Sequence, residues 1–212
     1  MKISLYLMIN KLNMIHAILI GDIVNSREYK PTLWQPVLEK SLQQYAKTFD
    51  IFRGDSFQAE LPLATCFEFI FYIKAQIKAL GKLDIRIGLG IGEVEYSSKE
   101  ISNSTGEAFL NAGEAFDTLK KNLIALRSPW REFDEPVQIM LELATELANR
   151  WTVNMAESVA IAIAHPDYNQ QELTKILNRK HQSQVSTELT KAHYNAIKKV
   201  IEYCTQELQK RC

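Results

Sequence analysis

The chain has 212 residues, of which 46% are hydrophobic, and its 25 basic and 25 acidic side chains give a formal net charge of +0. This length fits one large domain or a medium domain with a small appendage, and the charge balance excludes a general electrostatic preference for nucleic acid or for an acidic partner. The three cysteines lack the spacing of disulfide or metal sites, and no apolar segment is long enough to span a membrane. We therefore expect a soluble protein of the reducing cytoplasm, with no membrane partner.

Residues 1–13 (MKISLYLMINKLN) begin like a signal peptide, with a lysine and a short apolar run. Asn and Lys interrupt that run, and no small-residue cleavage site follows, so export is not expected. A second methionine, Met14, stands just before the first predicted strand. We predict that residues 1–13 are a disordered N-terminal extension, or that the start of the chain has been placed too early.

A buried strand is predicted from Ile15 to Ile20, where the chain is largely apolar until Gly21-Asp22. Asp22 would then be the first polar residue at the end of the strand. A carboxylate there is a good metal ligand, because the strand fixes its position before the ion binds. Acidic residues also end strands in proteins that bind nothing there, so the hypothesis needs a second acidic residue nearby.

The chain then alternates between helical and strand patterns. Apolar spacing and turn residues predict a helix over 31–47, strands over 50–52 and 56–59 around Arg53-Gly54-Asp55, an apolar helix over 63–80 capped by Gly81, a strand over 83–94, a helix from Thr105 and a strand over 123–126. The first six elements give a ferredoxin-like βαββαβ unit, which is an antiparallel sheet with helices on one face and the other face open. The predicted fold class is α+β.

The strand over 83–94 (LDIRIGLGIGEV) has two unlike faces. One face is aliphatic, whereas the other carries Arg86, Gly88, Gly90 and Gly92. Glycine weakens the interior of a strand, so three glycines in alternation indicate that something approaches the backbone closely. Two explanations stay open: a bound ligand beside Arg86, or crowding by a helix or a bulge.

Asp22 and Asp55 form the candidate metal site. In the ferredoxin-like topology the first strand lies beside the strand that follows the hairpin, so the hairpin tip at Asp55 comes close to Asp22. Two neighbouring carboxylates repel each other unless a cation lies between them, and Mg²⁺ or Mn²⁺ favours carboxylate oxygens and recruits phosphates. The glycine face and Arg86 would then suit a nucleoside triphosphate. In the alternative, Asp55 serves only the tight turn.

Four motifs follow one another along the chain: GDIVNSR, FRGDSFQ, IRIGLGIGEV and STGEAFLNAGEAFD. Through their order and spacing, the chain resembles over roughly residues 14–126 the class III nucleotidyl cyclase catalytic domain, and more loosely the GGDEF diguanylate cyclases. The whole chain looks like a SatD-family protein. The cyclase resemblance implies two metal ions held by Asp22, Asp55 and the carbonyl of Ile23, and attack of a ribose hydroxyl on the α-phosphorus. The predicted nucleotide contacts are Gly54, Arg86, Gly88, Gly90 and Asn111.

The chain departs from the cyclase pattern at positions that serve base recognition and catalysis. Ile51 stands where cyclases usually have a base-recognising lysine, and Asn111 is displaced by one residue. Glu114 or Ala115 occupies the place of the arginine that stabilises the transition state, and loss of that cation lowers the rate by orders of magnitude. We expect a metal or nucleotide site without efficient cyclisation. The alternative is a divergent Mg²⁺-dependent cyclase or nucleotidyltransferase, in which a homodimer supplies the missing arginine from a second subunit.

The C-terminal part is predicted to be helical, with amphipathic helices over 132–150 and 151–164. The next segment is predicted to contain a short helix that Asn169 caps and whose Ile176 faces inward, a turn at Asn178, and a second helix whose Val185 faces inward. This segment resembles the helix-turn-helix of transcription regulators and sigma factors. The predicted DNA contacts are Lys180, Gln182, Ser183, Gln184, Ser186, Thr187 and Lys191. The alternatives are a plain helical bundle with a solvated face, or a protein-docking surface.

We therefore predict two domains, a cyclase-like domain over 14–130 and a helix-turn-helix-like domain over 131–212. The function that fits both is a DNA-binding regulator whose first domain senses, or once processed, a nucleotide. The rival hypotheses are the divergent enzyme and a protein-interaction module without a ligand.

Overall fold

A five-stranded sheet and eight α-helices make up the regular structure in the computed structural model, which describes residues 14–96, 98, 101–119 and 122–212. The prediction for residues 1–13 lies outside the described residues. The strands are β1 (Ile15–Val24), β2 (Thr48–Phe52), β3 (Ser56–Leu61), β4 (Asp84–Glu93) and β5 (Ile124–Arg127). The helices are α1 (Pro31–Tyr45), α2 (Cys66–Lys78), α3 (Glu107–Thr118), α4 (Arg131–Asn149), α5 (Val153–Ala164), α6 (Gln170–Ile176), α7 (Gln182–Lys191) and α8 (Tyr194–Gln209), with 3₁₀ turns at Ser26–Glu28 and Ile101–Asn103. The fold is α+β, as the sequence predicts.

The strands lie in the order β2-β3-β1-β4-β5. β1 runs antiparallel to both of its neighbours and β2 runs antiparallel to β3, whereas β5 runs parallel to β4 after the crossover through α3. The sheet is therefore mixed rather than wholly antiparallel. The prediction that β1 ends at Gly21-Asp22 is wrong, because pairing continues to Val24. Asp22 lies within the strand, opposite Ser56 on one side and Arg86 on the other.

The helix α2 is the centre of the main apolar core, as its largely apolar sequence predicts. It contacts α1, β4, α5 and α8. Phe67, Phe69, Ile70, Phe71 and Ile73 are all fully buried. Because burial of such side chains stabilises the fold by roughly 1.5–3 kcal/mol each, this helix binds the sheet to the C-terminal helices.

The helix α3 covers the glycine face of β4, so the prediction that this face of the sheet is open is wrong. A Cβ atom added at Gly90 would lie 2.2 Å from the carbonyl oxygen of Ala108, and one at Gly88 would lie 2.5 Å from the backbone nitrogen of Phe116. Only glycine lets the two backbones approach so closely. Of the two explanations that the sequence left open, crowding by a helix is therefore the correct one.

The C-terminal helices share the main apolar core with the sheet. The cluster that contains Leu19 of β1 and Phe69 of α2 also contains Val137 of α4, Val159 of α5 and Cys204 of α8. The domain boundary near residue 130 stays a prediction, and apolar packing continues across that position. None of the described helices combines the length and the hydropathy that a membrane-spanning helix requires.

Candidate functional site

The two candidate aspartates line one cavity at the C-terminal end of the central strand β1. Asp22 lies on β1, and Asp55 lies in the turn that precedes β3. The backbone N–H of Ile23 donates to the carbonyl oxygen of Asp55 at 3.1 Å, which holds the hairpin tip against β1. The cavity has a volume of about 660 Å³, and Ser26 and Arg86 also line it. The structure thus brings together the residues that the strand arrangement predicts to be neighbours.

Arg86 forms a two-pronged ion pair with Asp22 across the β1–β4 pairing. Its Nε donates to Asp22 Oδ1 at 2.9 Å, and its Nη2 donates to Asp22 Oδ2. The guanidinium also lies over the ring of Phe116, 5.6 Å from its centroid. The hydrogen bonds that Arg86 donates to Asp22 raise the pKa of Arg86, and the nearby charges of Asp22 and Asp55 add to this effect. Both oxygens of Asp22 are therefore occupied by a cation that a metal ion would have to displace.

Asp55 is held by the loop that follows β1. Ser26 Oγ donates to Asp55 Oδ2, and Asn25, which has a left-handed backbone with φ of 62°, donates from its side chain to the carbonyl of Lys82 at 2.9 Å. Asparagine is one of the few residues that adopt this conformation readily. The loop thus presents a hydroxyl group to the one aspartate while Arg86 neutralises the other.

The donor set of this cavity fits a hard divalent cation. Among the described residues, no group of three or more His, Cys, Asp and Glu side chains could hold a metal ion. The site instead offers the carboxylates of Asp22 and Asp55 and the hydroxyl of Ser26, all of which are oxygen donors. Mg²⁺ commonly binds one or two carboxylates and completes its shell with water and phosphate oxygens. The metal role of Asp22, Ile23 and Asp55 stays a prediction.

Three predicted nucleotide contacts do not reach the cavity. Gly88 and Gly90 are buried beneath α3. Asn111 is 8% exposed, and its side chain donates to the carbonyl oxygen of Ile91 at 2.7 Å, so it completes the packing of α3 on β4. The helix occupies the face that the sequence suggested was open, and the contact of these three residues with a nucleotide stays a prediction.

A second cavity, of about 420 Å³, adjoins the first and was not predicted from the sequence. It shares Ser26, Arg27 and Asp55 with the first cavity, and it is lined in addition by Tyr29, Pro31, Trp34, Arg53 and Gly54. Gly54, a predicted nucleotide contact, therefore lies beside this second cavity. The sequence signal for this cavity is Arg53, a basic side chain directly before the Gly54-Asp55 step of the hairpin turn.

The helix α7 exposes most of the side chains predicted to contact DNA. Gln182, Ser183, Gln184, Thr187, Lys180 and Lys191 are exposed, and Ser186 is partly buried. Val185 is fully buried, and Asn178 has the left-handed backbone predicted for the turn, with φ of 50°. Asn169 caps α6 as predicted, whereas Ile176 is 46% exposed, so the prediction that it faces inward is wrong.

Some of these polar groups already have partners within the chain. The side chain of Gln184 accepts a hydrogen bond from the N–H of His181 at 3.0 Å, and Gln182 donates to Gln170 at 3.1 Å. Arg179 fixes the turn itself, since it donates to Glu157 at 2.7 Å and to Glu188 at 3.2 Å. The α6–α7 pair is therefore anchored on α5 by ion pairs as well as by apolar packing.

The family model of the SatD family matches residues 16–203 of the chain. Because this match spans most of the sequence, the chain belongs to the SatD family. No curated protein matched the chain.

Proposed function

We propose that this member of the SatD family binds a divalent metal ion together with a nucleotide at the cavity between Asp22 and Asp55. The observation that carries the proposal is that two carboxylates, one from β1 and one from the hairpin turn before β3, line one cavity beside an arginine. Carboxylates supply oxygen ligands for Mg²⁺ or Mn²⁺, and a guanidinium binds phosphate in a two-pronged geometry. The proposal also assumes a ferredoxin-like unit, as in nucleotide-binding cyclase domains, and the strand order β2-β3-β1-β4 is compatible with it.

Charge balance supports a concerted binding mode. Without a metal ion, Arg86 offsets the charge of Asp22, while among the described residues Asp55 has only the hydroxyl of Ser26 as a side-chain hydrogen-bond partner. A divalent ion between the two carboxylates removes their mutual repulsion and frees Arg86 from Asp22. The guanidinium of Arg86 can then bind a phosphate group of the nucleotide that enters the cavity with the metal ion. Metal and nucleotide are expected to bind more tightly together than singly.

The proposed role is binding rather than efficient cyclisation. Cyclases place an arginine on the helix after the glycine-rich strand, whereas Glu114 here pairs with Arg127 at 2.7 Å and Ala115 is buried. An acidic group and a methyl group cannot stabilise the charge of a phosphoryl transition state. A homodimer that supplies the arginine in trans is the enzyme alternative, and an interaction module without a ligand is the third.

The test is a thermal-shift series with Mg²⁺ or Mn²⁺ and a panel of nucleotides. We expect a saturable rise in Tm for the wild-type chain, and we expect that rise to vanish in Asp22→Asn and Asp55→Asn. Asp50→Asn, which removes the same charge from the same hairpin outside the cavity, is the control and should keep it. Absence of any shift in the wild type, or its persistence in both aspartate variants, would overturn the proposal in favour of the interaction module. A cyclic product that Asp55→Ala abolishes would establish the enzyme alternative.

As a second function, we propose that the exposed face of α7 contacts DNA, which would make the chain a nucleotide-responsive regulator. The supporting observation is the run of uncharged polar side chains, Gln182, Ser183 and Thr187, between two exposed lysines, Lys180 and Lys191. Amide and hydroxyl groups can bind base edges, and lysines bind phosphates. In this proposal α6 and α7 serve as the two helices of a helix-turn-helix.

This second proposal is tested by selection of binding sites from random duplex DNA, followed by fluorescence anisotropy at several salt concentrations. Lys180→Ala and Lys191→Ala should each weaken binding and reduce the salt slope by about one. Lys198→Ala on α8 is the control, since that exposed lysine only pairs with Glu202 along its own helix. Unchanged affinity in both test variants would favour protein docking or a solvated helical face instead.

A further inference from the structure

The second cavity lies directly beside the proposed metal site. The contact between Ser26 and Asp55 separates the two, because both residues line both cavities. A ligand held by Asp22 and Asp55 can therefore extend past Ser26 into the second cavity. The chemistry of that cavity differs from that of the first, since Asp55 is the one acidic residue among its described lining residues.

Two arginines without ion-pair partners line the second cavity. Arg27 and Arg53 are both exposed, and within the described residues neither forms a salt bridge. Arg86, by contrast, is fully engaged by Asp22. Unpaired guanidinium groups beside a concave surface are suited to phosphate, because their N–H groups match its oxygens in pairs.

A buried donor at the same cavity also has no partner. Trp34 is 2% exposed and lines the cavity, and its indole N–H has no hydrogen-bond acceptor among the described residues. An unsatisfied buried donor costs about 1–3 kcal/mol, and because the indole nitrogen has almost no accessible surface, an acceptor group of a ligand reaches it only when the side chains around it move. Pro31, the first residue of α1, also lines the cavity, so the positive end of that helix dipole favours the same kind of group.

The strained backbone at Arg53 indicates a functional role for its side chain. The hairpin turn consists of Arg53, Gly54 and Asp55, and the first two have left-handed backbones with φ of 53° and 89°. Apart from glycine, asparagine and aspartate adopt this conformation most readily, and a residue with a long side chain is strained there by about 1 kcal/mol. The chain thus carries an arginine where asparagine would give a more stable turn.

We propose that the second cavity binds a further phosphate of the ligand held at Asp22 and Asp55, through Arg27 and Arg53. The site therefore selects polyphosphorylated ligands, such as nucleoside diphosphates and triphosphates, over nucleoside monophosphates. This inference rests on the proposed metal–nucleotide function for the identity of the ligand, but the anion-binding property belongs to the second cavity alone.

The test compares nucleoside mono-, di- and triphosphates and inorganic triphosphate by calorimetry in the presence of Mg²⁺. We expect the wild-type chain to prefer the triphosphate over the monophosphate, and Arg53→Asn to reduce triphosphate affinity by about tenfold with monophosphate affinity unchanged. Asparagine suits the turn, so this variant is expected to fold. Arg53→Lys should restore part of the preference, and Arg150→Asn, which removes an exposed arginine elsewhere, is the matched control.

The outcomes separate this inference from the proposed function. Equal affinity for mono- and triphosphate in the wild type, or an unchanged preference in Arg53→Asn, overturns the inference while nucleotide binding stands. Binding of inorganic triphosphate that depends on Arg53, without binding of any nucleotide, supports the anion site and overturns the proposed function. Absence of binding by every probe overturns both.

Discussion

Glycine at positions 88 and 90 determines how closely α3 can lie on the sheet. The backbone of the helix occupies the space where side chains of β4 would otherwise stand, with Ala108, Ala112 and Phe116 as its nearest residues. A strand of this composition is intrinsically weak. Its stability must come from the helix that covers it, which makes this contact sensitive to the addition of a single methyl group.

Gly90→Ala is expected to lower the free energy of unfolding by roughly 3 kcal/mol or more, because the new Cβ atom would lie 2.2 Å from backbone atoms of Ala108 and Ala112. Gly113→Ala on α3, the helix that packs on Gly90, is the matched control, since nothing lies within 4 Å of its added Cβ atom. There the free energy of unfolding should rise by about 0.5–1 kcal/mol. Urea denaturation of both variants measures the difference, and equal effects would contradict the packing argument.

At the scale of single residues, the sequence predicted conformations better than contacts. Asn169 and Asn178 were identified because capping and left-handed turns depend on local chemistry. The ion pair between Arg86 and Asp22 was not predicted, because it follows from the register of β1 against β4, which is set by the whole sheet. The role of the glycines could not be decided for the same reason: a helix and a ligand require the same bare strand.

Among the elements, β5 is an edge strand that a helix side chain completes. Gln138 on α4 accepts a hydrogen bond from the N–H of Leu126 at 2.9 Å and donates to the carbonyl oxygen of Ile124 at 3.3 Å. One side-chain amide thus takes the place of a neighbouring strand. Edge strands with free backbone groups tend to pair with other chains, so this contact also protects against association.

Gln138→Ala is expected to destabilise the fold by about 1–3 kcal/mol, since it leaves a buried N–H group and a buried carbonyl group of β5 without partners. Glu135→Ala on the same helix removes only an exposed pair with Arg131 and should cost at most about 0.5 kcal/mol. Thermal unfolding gives the stabilities, and light scattering reports any association. A Gln138→Ala chain as stable as the Glu135→Ala chain would show that the edge contact is dispensable.

The helices and strands themselves were largely predictable from periodicity. The helix predicted over 63–80 is observed at Cys66–Lys78, and the strand predicted over 83–94 is observed at Asp84–Glu93. Periodicity could not predict which helix covers which face of the sheet, because the apolar stripe of α3 would fit either face. The packing of α3 over β4 and the second cavity beside Trp34 both depend on how the elements pack against one another.

At the scale of the whole molecule, a buried lysine makes stability depend on pH. Lys74 of α2 is fully buried and lies 2.7 Å from Asp84 of β4, whose other carboxylate oxygen lies 3.1 Å from Lys78. Burial lowers the pKa of Lys74 to about 8, with the attraction of Asp84 partly opposing it. The folded chain therefore loses this proton at a lower pH than the unfolded chain does.

The contribution of Lys74 to the free energy of unfolding is expected to rise between pH 8 and pH 9.5, because this side chain binds more protons in the unfolded chain than in the folded chain in that range. The rise attributable to Lys74 should be on the order of 1–2 kcal/mol. Burial raises the pKa of Tyr45, and it also raises the pKa of the Cys66 and Cys204 thiols, which gives the opposite trend already between pH 8 and pH 9.5. The contribution of Lys74 is therefore measured as a difference between variants: by urea denaturation, the stability of Lys74→Met should fall more steeply over this pH range than that of the wild type, whereas Lys198→Met on the surface should follow the wild type.

The three tryptophans of the chain stand at separate places in the molecule, and this distribution gives it a built-in optical probe. Trp34 lines the second cavity, Trp130 packs edge-on against Phe133 at the start of α4, and the indole N–H of Trp151 donates to the carbonyl oxygen of Ala192 at 2.9 Å. Anything that enters the cavity changes the surroundings of one fluorophore and leaves the other two as internal standards. Emission from the unlabelled chain can thus report occupancy in real time, with Trp34→Phe as its blank.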